Sequence, residues 1–123
     1  MPHLHLEYTR NLPLPDVDAL LLRLNHALMG TGQIANEADI KSRAVEVQTF
    51  RVGTAPGERG FLYAKLALLA GRSPETKKHL SDALIAVLKE AAVWPEGIDI
   101  QFGVEIVDMQ RESYGKERLQ SWR

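Results

Sequence analysis

Pro2 is the residue whose chemistry depends most on its position in this chain. It follows Met1, and an initiator methionine is normally removed when proline comes next. Removal would give Pro2 a free secondary amine, whereas a proline inside a chain has neither an N–H nor basicity. Free α-amino groups titrate at about 7.7–8.0, and burial beside cations lowers that pKa. Pro2 is therefore a candidate general base near neutral pH; the alternative is a rigid start to the first strand.

Cationic side chains at two places are candidates for holding an anionic ligand. Arg72 and Ser73 open a predicted helix, and helix N-termini attract anions through free N–H groups and the helix dipole. Lys41 and Arg43 lie two residues apart, so in an extended stretch they share a side and can converge on one anion. The alternatives are a solvated arginine beside a capping serine and an exposed basic edge.

His3 and His5 also lie two apart on one face of the first strand. This spacing can bind a metal ion, but no further ligand group is evident in the sequence. We therefore expect no metal site and interpret the two histidines as part of a polar surface that faces another subunit.

Composition indicates one globular domain spanning residues 1–123. The net charge of -1 gives no electrostatic case for nucleic-acid binding. There is no cysteine, which fits a reducing compartment. No apolar run approaches membrane-spanning length, and the first residues lack the apolar region of a signal peptide. We expect a cytoplasmic protein without membrane contacts.

The first half of the chain predicts strand, helix and strand. Leu4, Leu6 and Tyr8 alternate with polar residues, which is typical of a strand with one buried face. Residues 16–29 carry one apolar stripe at helical spacing and end at the glycines of residues 30–32. A second strand follows residues 40–43.

The second half repeats this order. Residues 61–70 are almost entirely apolar and predict a central strand covered on both faces. The second helix starts at Ser73, and the strand after it runs from Ile98, with Gly103 as a candidate bulge. The polar tail of residues 110–123 carries three apolar residues; such a tail either docks on a neighbouring subunit or is frayed. These residues are Tyr114, Leu119 and Trp122.

The predicted fold class is α+β, with two β-α-β halves. Each helix has one apolar stripe, so both helices should cover the same face of a four-stranded mixed sheet. Since residues 61–70 are apolar on both sides, the other face must be buried as well. Another copy of the protein is the simplest cover.

Several segments together resemble the tautomerase superfamily with its amino-terminal proline, and most nearly the 5-carboxymethyl-2-hydroxymuconate isomerase family. The resemblance spans nearly the whole chain and depends on the order and spacing of these segments. They are Pro2-His3 with Glu7, Leu24-Asn25 with Thr31-Gly32, Ile40-Lys41-Ser42-Arg43, Ala70-Gly71-Arg72-Ser73 with Glu75, and Val104-Glu105-Ile106.

The resemblance implies a homotrimer of the macrophage migration inhibitory factor-like fold, without cofactor or metal. It implies that Pro2 is the base that moves a proton from oxygen to carbon of a carboxylated dienol in the breakdown of aromatic compounds such as homoprotocatechuate. Arg72, Lys41, Arg43 and Ser73 would hold the substrate carboxylates. Lys41 replaces the arginine usual in this family, and a lysine cannot make arginine's two-pronged contact with a carboxylate.

Two other functions are compatible with the sequence. One keeps Pro2 as base but acts on a different enol, such as phenylpyruvate. The other is a non-catalytic ferredoxin-like module that binds a small metabolite and has the same order of elements. Strand pairing separates the folds, because ferredoxin-like sheets interleave the two halves and the tautomerase fold keeps the strands of each half together.

Overall fold

The computed structural model describes residues 1–120 of the chain. The described chain contains two helices and four strands in the predicted order, together with a 3₁₀ turn at Glu37–Asp39. The elements are β1 (His3–Thr9), α1 (Val17–Gly30), β2 (Lys41–Val47), β3 (Arg59–Leu69), α2 (Pro74–Lys89) and β4 (Asp99–Met109).

The strands form one mixed sheet in the order β2-β1-β3-β4. β1 pairs with β2 in parallel, β3 pairs with β4 in parallel, and the two halves meet where β1 and β3 run antiparallel. The two strands of each half are therefore neighbours. This arrangement confirms the α+β fold of two β-α-β halves and excludes the interleaved ferredoxin-like sheet.

Leucines from both helices pack into a single core against one face of the sheet. Leu24 of α1 and Leu84 of α2 are fully buried in the same cluster as Leu4 and Leu66 of the sheet. Each fully buried leucine stabilises the fold by roughly 1.5–3 kcal/mol. The predicted cover of one face by both helices is confirmed. Within residues 1–120, neither helix is long and apolar enough to cross a membrane.

Local signals set the helix ends. The Asp16 carboxylate accepts a hydrogen bond from Ala19 N at 3.1 Å and caps α1. Gly32 follows that helix with φ of +75°, a conformation that glycine adopts without steric cost. The predicted start of α2 at Ser73 is also confirmed.

The predicted bulge at Gly103 is wrong. β4 pairs with β3 in an unbroken register from Asp99 to Met109. Ile100, Phe102, Val104 and Ile106 are all two residues apart and pack against the core, so the alternation requires no extra residue at Gly103.

The side of the sheet away from the helices, which we call the open face, is only partly covered. Val45 of β2 on this face is 58% exposed, and Phe61, Tyr63 and Ala67 of β3 are half-buried. The alternation of each strand and the pairing register place a mixed set of residues there. They include His3, His5, Arg43, Val45, Phe61, Tyr63, Lys65 and Ala67.

Candidate active site

The sheet topology brings separate parts of the chain together at one edge. β1 and β2 are parallel, so both start there, and the antiparallel β3 ends there together with β4. Pro2 is buried at this edge, and its carbonyl accepts a hydrogen bond from Lys41 N at 3.0 Å. The turn carrying Arg72 leaves the end of β3 at the same place. We call this region the N-terminal edge.

The terminal amine at this edge lies in a positive environment. Burial, and after it Lys41, lowers the pKa of the Met1 amine below 8.0; Arg72 and Lys116 act in the same direction, and Asp39 opposes them. Among the residues that the structure describes, three cations and one carboxylate are therefore close enough to act on the terminus. Such an environment favours a neutral amine, the form that can accept a proton.

Arg72 is fixed by backbone carbonyls at the end of β3 and in the loop after α1. Its Nη1 donates to Leu69 O at 3.1 Å and its Nη2 donates to Gln33 O at 3.3 Å. These bonds use two of the five guanidinium N–H groups, so the side chain is held in place and keeps donors for an anion.

Ser73 caps α2. Its hydroxyl oxygen accepts from Thr76 N at 3.1 Å and also bonds the Thr76 hydroxyl at 3.1 Å. The side chain is thus already engaged by its own helix at the position where the sequence predicts a contact with substrate.

Lys41 and Arg43 point to different partners. Lys41 Nζ donates to Asp39 O at 2.6 Å, close to the terminus. Arg43 lies on the open face, where its guanidinium contacts His5 Nε2 at 3.2 Å and His3 Nδ1 at 3.1 Å. Arg43 is not among the charges that act on the amine, but Lys41 and Arg43 both act on His3 and lower its pKa.

The histidines hold Arg43 as hydrogen-bond acceptors. A guanidinium only donates, so His3 Nδ1 accepts; the neutral ring then carries its proton on Nε2, which donates to the Tyr114 hydroxyl at 2.9 Å. Burial, and after it Arg43, lowers the pKa of both His3 and His5. The pair therefore forms part of a polar network on the open face.

Asp39 and Lys116 are the charged residues of this edge that the sequence did not indicate. Lys116 Nζ lies 3.0 Å from Asp39 Oδ1 and 2.8 Å from Met1 Sδ. Asp39 and Lys116 are 77 residues apart in the chain, and no local pattern relates them. The sequence predicted at most that the tail docks on a neighbouring subunit, and not this contact within the chain.

The tail lies against its own chain through Tyr114 and Lys116. Leu119 is 94% exposed, so it is not an anchor within this chain, and Trp122 lies outside the described residues. Docking of the tail on a neighbouring subunit stays a prediction.

Comparison with known protein families assigns the chain to one of them. A sequence profile of the family described as 5-carboxymethyl-2-hydroxymuconate isomerase matches residues 2–119. The chain belongs to this isomerase family. A comparison with curated protein sequences gave no match.

Solved structures agree with this assignment. A 5-carboxymethyl-2-hydroxymuconate isomerase from Deinococcus radiodurans R1 is 31% identical, with a TM-score of 0.80 over 96% of this chain and 90% of that chain. A 5-carboxymethyl-2-hydroxymuconate delta-isomerase is 18% identical, with a TM-score of 0.66 over 96% of this chain and 88% of that chain. An asymmetric trimer of fused 4-OT is also 18% identical, with a TM-score of 0.69 over 93% of this chain and 91% of that chain. The last two similarities show the shared fold.

Proposed function

We propose that this isomerase is a cofactor-free keto–enol tautomerase that uses a free Pro2 amine as its general base. The proposed substrate is a 2-hydroxymuconate-type dienol with more than one carboxylate, as formed in the breakdown of aromatic compounds such as homoprotocatechuate. Family membership supports the reaction class, and the environment of the terminus supports the residue.

The observation that carries the proposal is the charge distribution around the terminus. Lys41, Arg72 and Lys116 all lower the pKa of the terminal amine, and Asp39 is the one carboxylate within residues 1–120 that acts on it. Two positive charges thus remain uncompensated where the base would lie. Two substrate carboxylates would balance them, which favours a dicarboxylated dienol over a monocarboxylated enol such as phenylpyruvate.

The proposed reaction transfers one proton and needs no electron acceptor. The neutral Pro2 amine accepts the proton of the enol hydroxyl, which leaves a dienolate. The protonated amine then returns the proton to a carbon of the same molecule, giving the conjugated ketone. Arg72 and Lys41 would hold the carboxylates and stabilise the negative charge of the dienolate during the transfer.

Arg43 and Ser73 have a secondary role in substrate binding in this proposal. Arg43 is bound by His3 and His5, and Ser73 by Thr76. Either side chain would have to exchange its present partner for a substrate carboxylate. We therefore assign the first contacts to Arg72 and Lys41, and keep Arg43 and Ser73 as candidates for the distal carboxylate.

We also propose that the protein is a homotrimer in which the open faces meet. The fused 4-OT structure with this fold is a trimer, and Phe61, Tyr63 and Ala67 would be buried by such an association.

Retention of Met1 tests the base directly. A form verified by mass to keep Met1 has an amide nitrogen at Pro2, which has no usable basicity. We expect this form to fold normally and to lose most of its ketonisation activity on a 2-hydroxymuconate-type dienol, whereas Pro2→Ala in the processed protein keeps a primary amine and part of the activity. Full activity in the folded Met1-retaining form would contradict the proposal.

A further inference from the structure

We propose that Lys116, on the C-terminal tail, is a substrate-binding residue that holds one carboxylate of the substrate beside Pro2. The proposal deepens the function proposed above and rests on it. It assigns to the tail a direct part in the site, which neither the sequence pattern nor the family description indicates.

Two contacts that precede Lys116 hold the tail across the N-terminal edge. Arg111 Nε donates to Ala70 O at 2.7 Å, next to the turn that carries Arg72. The Tyr114 hydroxyl then accepts from His3 at 2.9 Å, one residue beyond Pro2. Because both anchors lie within five residues of it, the position of Lys116 follows from the fold.

The ammonium group of Lys116 has one strong and one weak partner. Asp39 Oδ1 lies at 3.0 Å, and the side chains of this pair are only 30% and 23% exposed. The second partner is the Met1 sulfur at 2.8 Å, and a thioether is a weak acceptor. An ammonium has three donors, so a carboxylate oxygen in place of the sulfur would make a stronger, charge-assisted bond.

Met1 therefore occupies the position that we assign to a substrate carboxylate. Its amine and its sulfur lie among Lys41, Arg72 and Lys116. When Met1 is removed, Lys116 loses its sulfur contact while Asp39 keeps the ammonium in place. The cation would then face the newly formed Pro2 amine across the volume that the methionine had filled.

A cavity of about 160 Å³ adjoins this ammonium. Its lining is of mixed charge with an excess of cations, and it is large enough for a carboxylate with its first carbon atoms. The lining residues are Ala38, Asp39, Lys41, Lys116, Glu117 and Arg118. Asp39 acts here as a positioning residue, because its carboxylate holds Lys116 and does not attract an anionic substrate.

Binding of an unreactive dicarboxylate tests the assignment without catalysis. The probe is adipate, titrated calorimetrically into processed protein whose loss of Met1 has been verified by mass. We expect Lys116→Gln to raise the dissociation constant of adipate about ten-fold, the effect of one lost hydrogen bond to a charged group. Lys116→Arg, which keeps the charge, should bind adipate more tightly than Lys116→Gln.

The matched control is Lys78→Gln. Lys78 also pairs with an aspartate, Asp82 at 2.8 Å, but on the exposed surface of α2. This variant should bind adipate as the parent does. The His3 ring signals in NMR spectra should be the same in the parent and in Lys116→Gln, which shows that the tail stays docked. Unchanged adipate affinity in Lys116→Gln, or a parent protein that does not bind adipate, would overturn the inference.

Kinetics separate this inference from the function on which it rests. With the dienol substrate, Lys116→Gln should raise KM and leave kcat nearly unchanged, because the lost contact is made in both the ground state and the transition state. A processed protein that binds adipate through Lys116 but does not ketonise the dienol would refute the proposed function and leave the binding site standing. If the enzyme is active, and its KM and its affinity for adipate are the same in the parent and in Lys116→Gln, the inference alone is refuted.

Discussion

At the scale of the residue, surroundings decide what each ionisable group can do. The amine of Met1 and the rings of His3 and His5 all have lowered pKa values, for which burial is the first cause and nearby cations the next. The Pro2 amine that replaces it when Met1 is removed would gain a role as base from the same surroundings, because a neutral amine accepts a proton. The histidines gain a structural role, since their neutral rings accept hydrogen bonds from Arg43.

The histidine network predicts a loss of stability in mild acid. The folded-state pKa of each ring lies below the unfolded value of about 6.5, so the unfolded chain binds more protons as the pH falls through that value. The network therefore contributes its full share of the free energy of unfolding above about pH 6.5, and this contribution is lost as the pH falls below that value. Arg43 is the nearest charge; the others that act on one or both rings are Lys41, Lys65, Glu7 and the terminal amine.

Urea unfolding at pH 7.5 and pH 5.5 measures this effect. We expect the parent protein to be less stable at pH 5.5, and the double change His3→Gln with His5→Gln to remove part of that difference. His79→Gln, an exposed position on α2, is the control and should behave as the parent. An identical pH dependence in the double variant and the parent would show that the two rings do not titrate with folding.

At the scale of the element, the start of α2 shows how far local chemistry can be predicted. Ser73 supplies the capping hydroxyl, Pro74 has the backbone angle of a first helical residue, and Glu75 complements the positive end of the dipole. These effects act within one turn, so they are readable from four consecutive residues. The second role predicted for Ser73, contact with substrate, requires a partner from outside that turn.

Substitution of Ser73 separates its two roles. Ser73→Ala should lower the free energy of unfolding by about 1 kcal/mol, the usual effect of a lost N-cap, and Ser73→Asp should retain it. Ser81→Ala, in the interior of the same helix, is the control for serine removal and should not destabilise the protein. A raised KM for a carboxylated substrate with unchanged stability would instead assign Ser73 to substrate binding.

At the scale of the whole molecule, the open face is the feature that one chain leaves unfinished. Both helices cover the opposite side of the sheet, and Val45 remains 58% exposed. Phe61, Tyr63 and Ala67 of the central strand β3 also lie on this face and are half-buried. Association of several copies through their open faces would remove this apolar surface from water.

A charge on the open face should prevent association. We expect the parent protein to sediment at about three times its chain mass of 13.8 kDa. Val45→Glu should sediment as a monomer, because association would bury its carboxylate beside that of Glu7, the residue paired with Val45 in the sheet register. Leu22→Glu replaces a residue that is 58% exposed on α1, on the other side of the molecule, and should leave the trimer intact. A parent protein that is monomeric at micromolar concentration would contradict the trimer.

The sequence by itself determined the helices and strands, the faces that they bury, and the capacity of a free Pro2 amine to act as a base. Periodicity and capping residues reveal these because they act over a few neighbouring positions. Only the tertiary structure decided that β1 lies between β2 and β3, that Arg43 turns to His3 and His5, and that Lys116 meets Asp39 beside the terminus. Periodicity reports which face of a strand is buried but carries no information on which strand is its neighbour, and contacts across 77 residues depend on the packing of the entire chain.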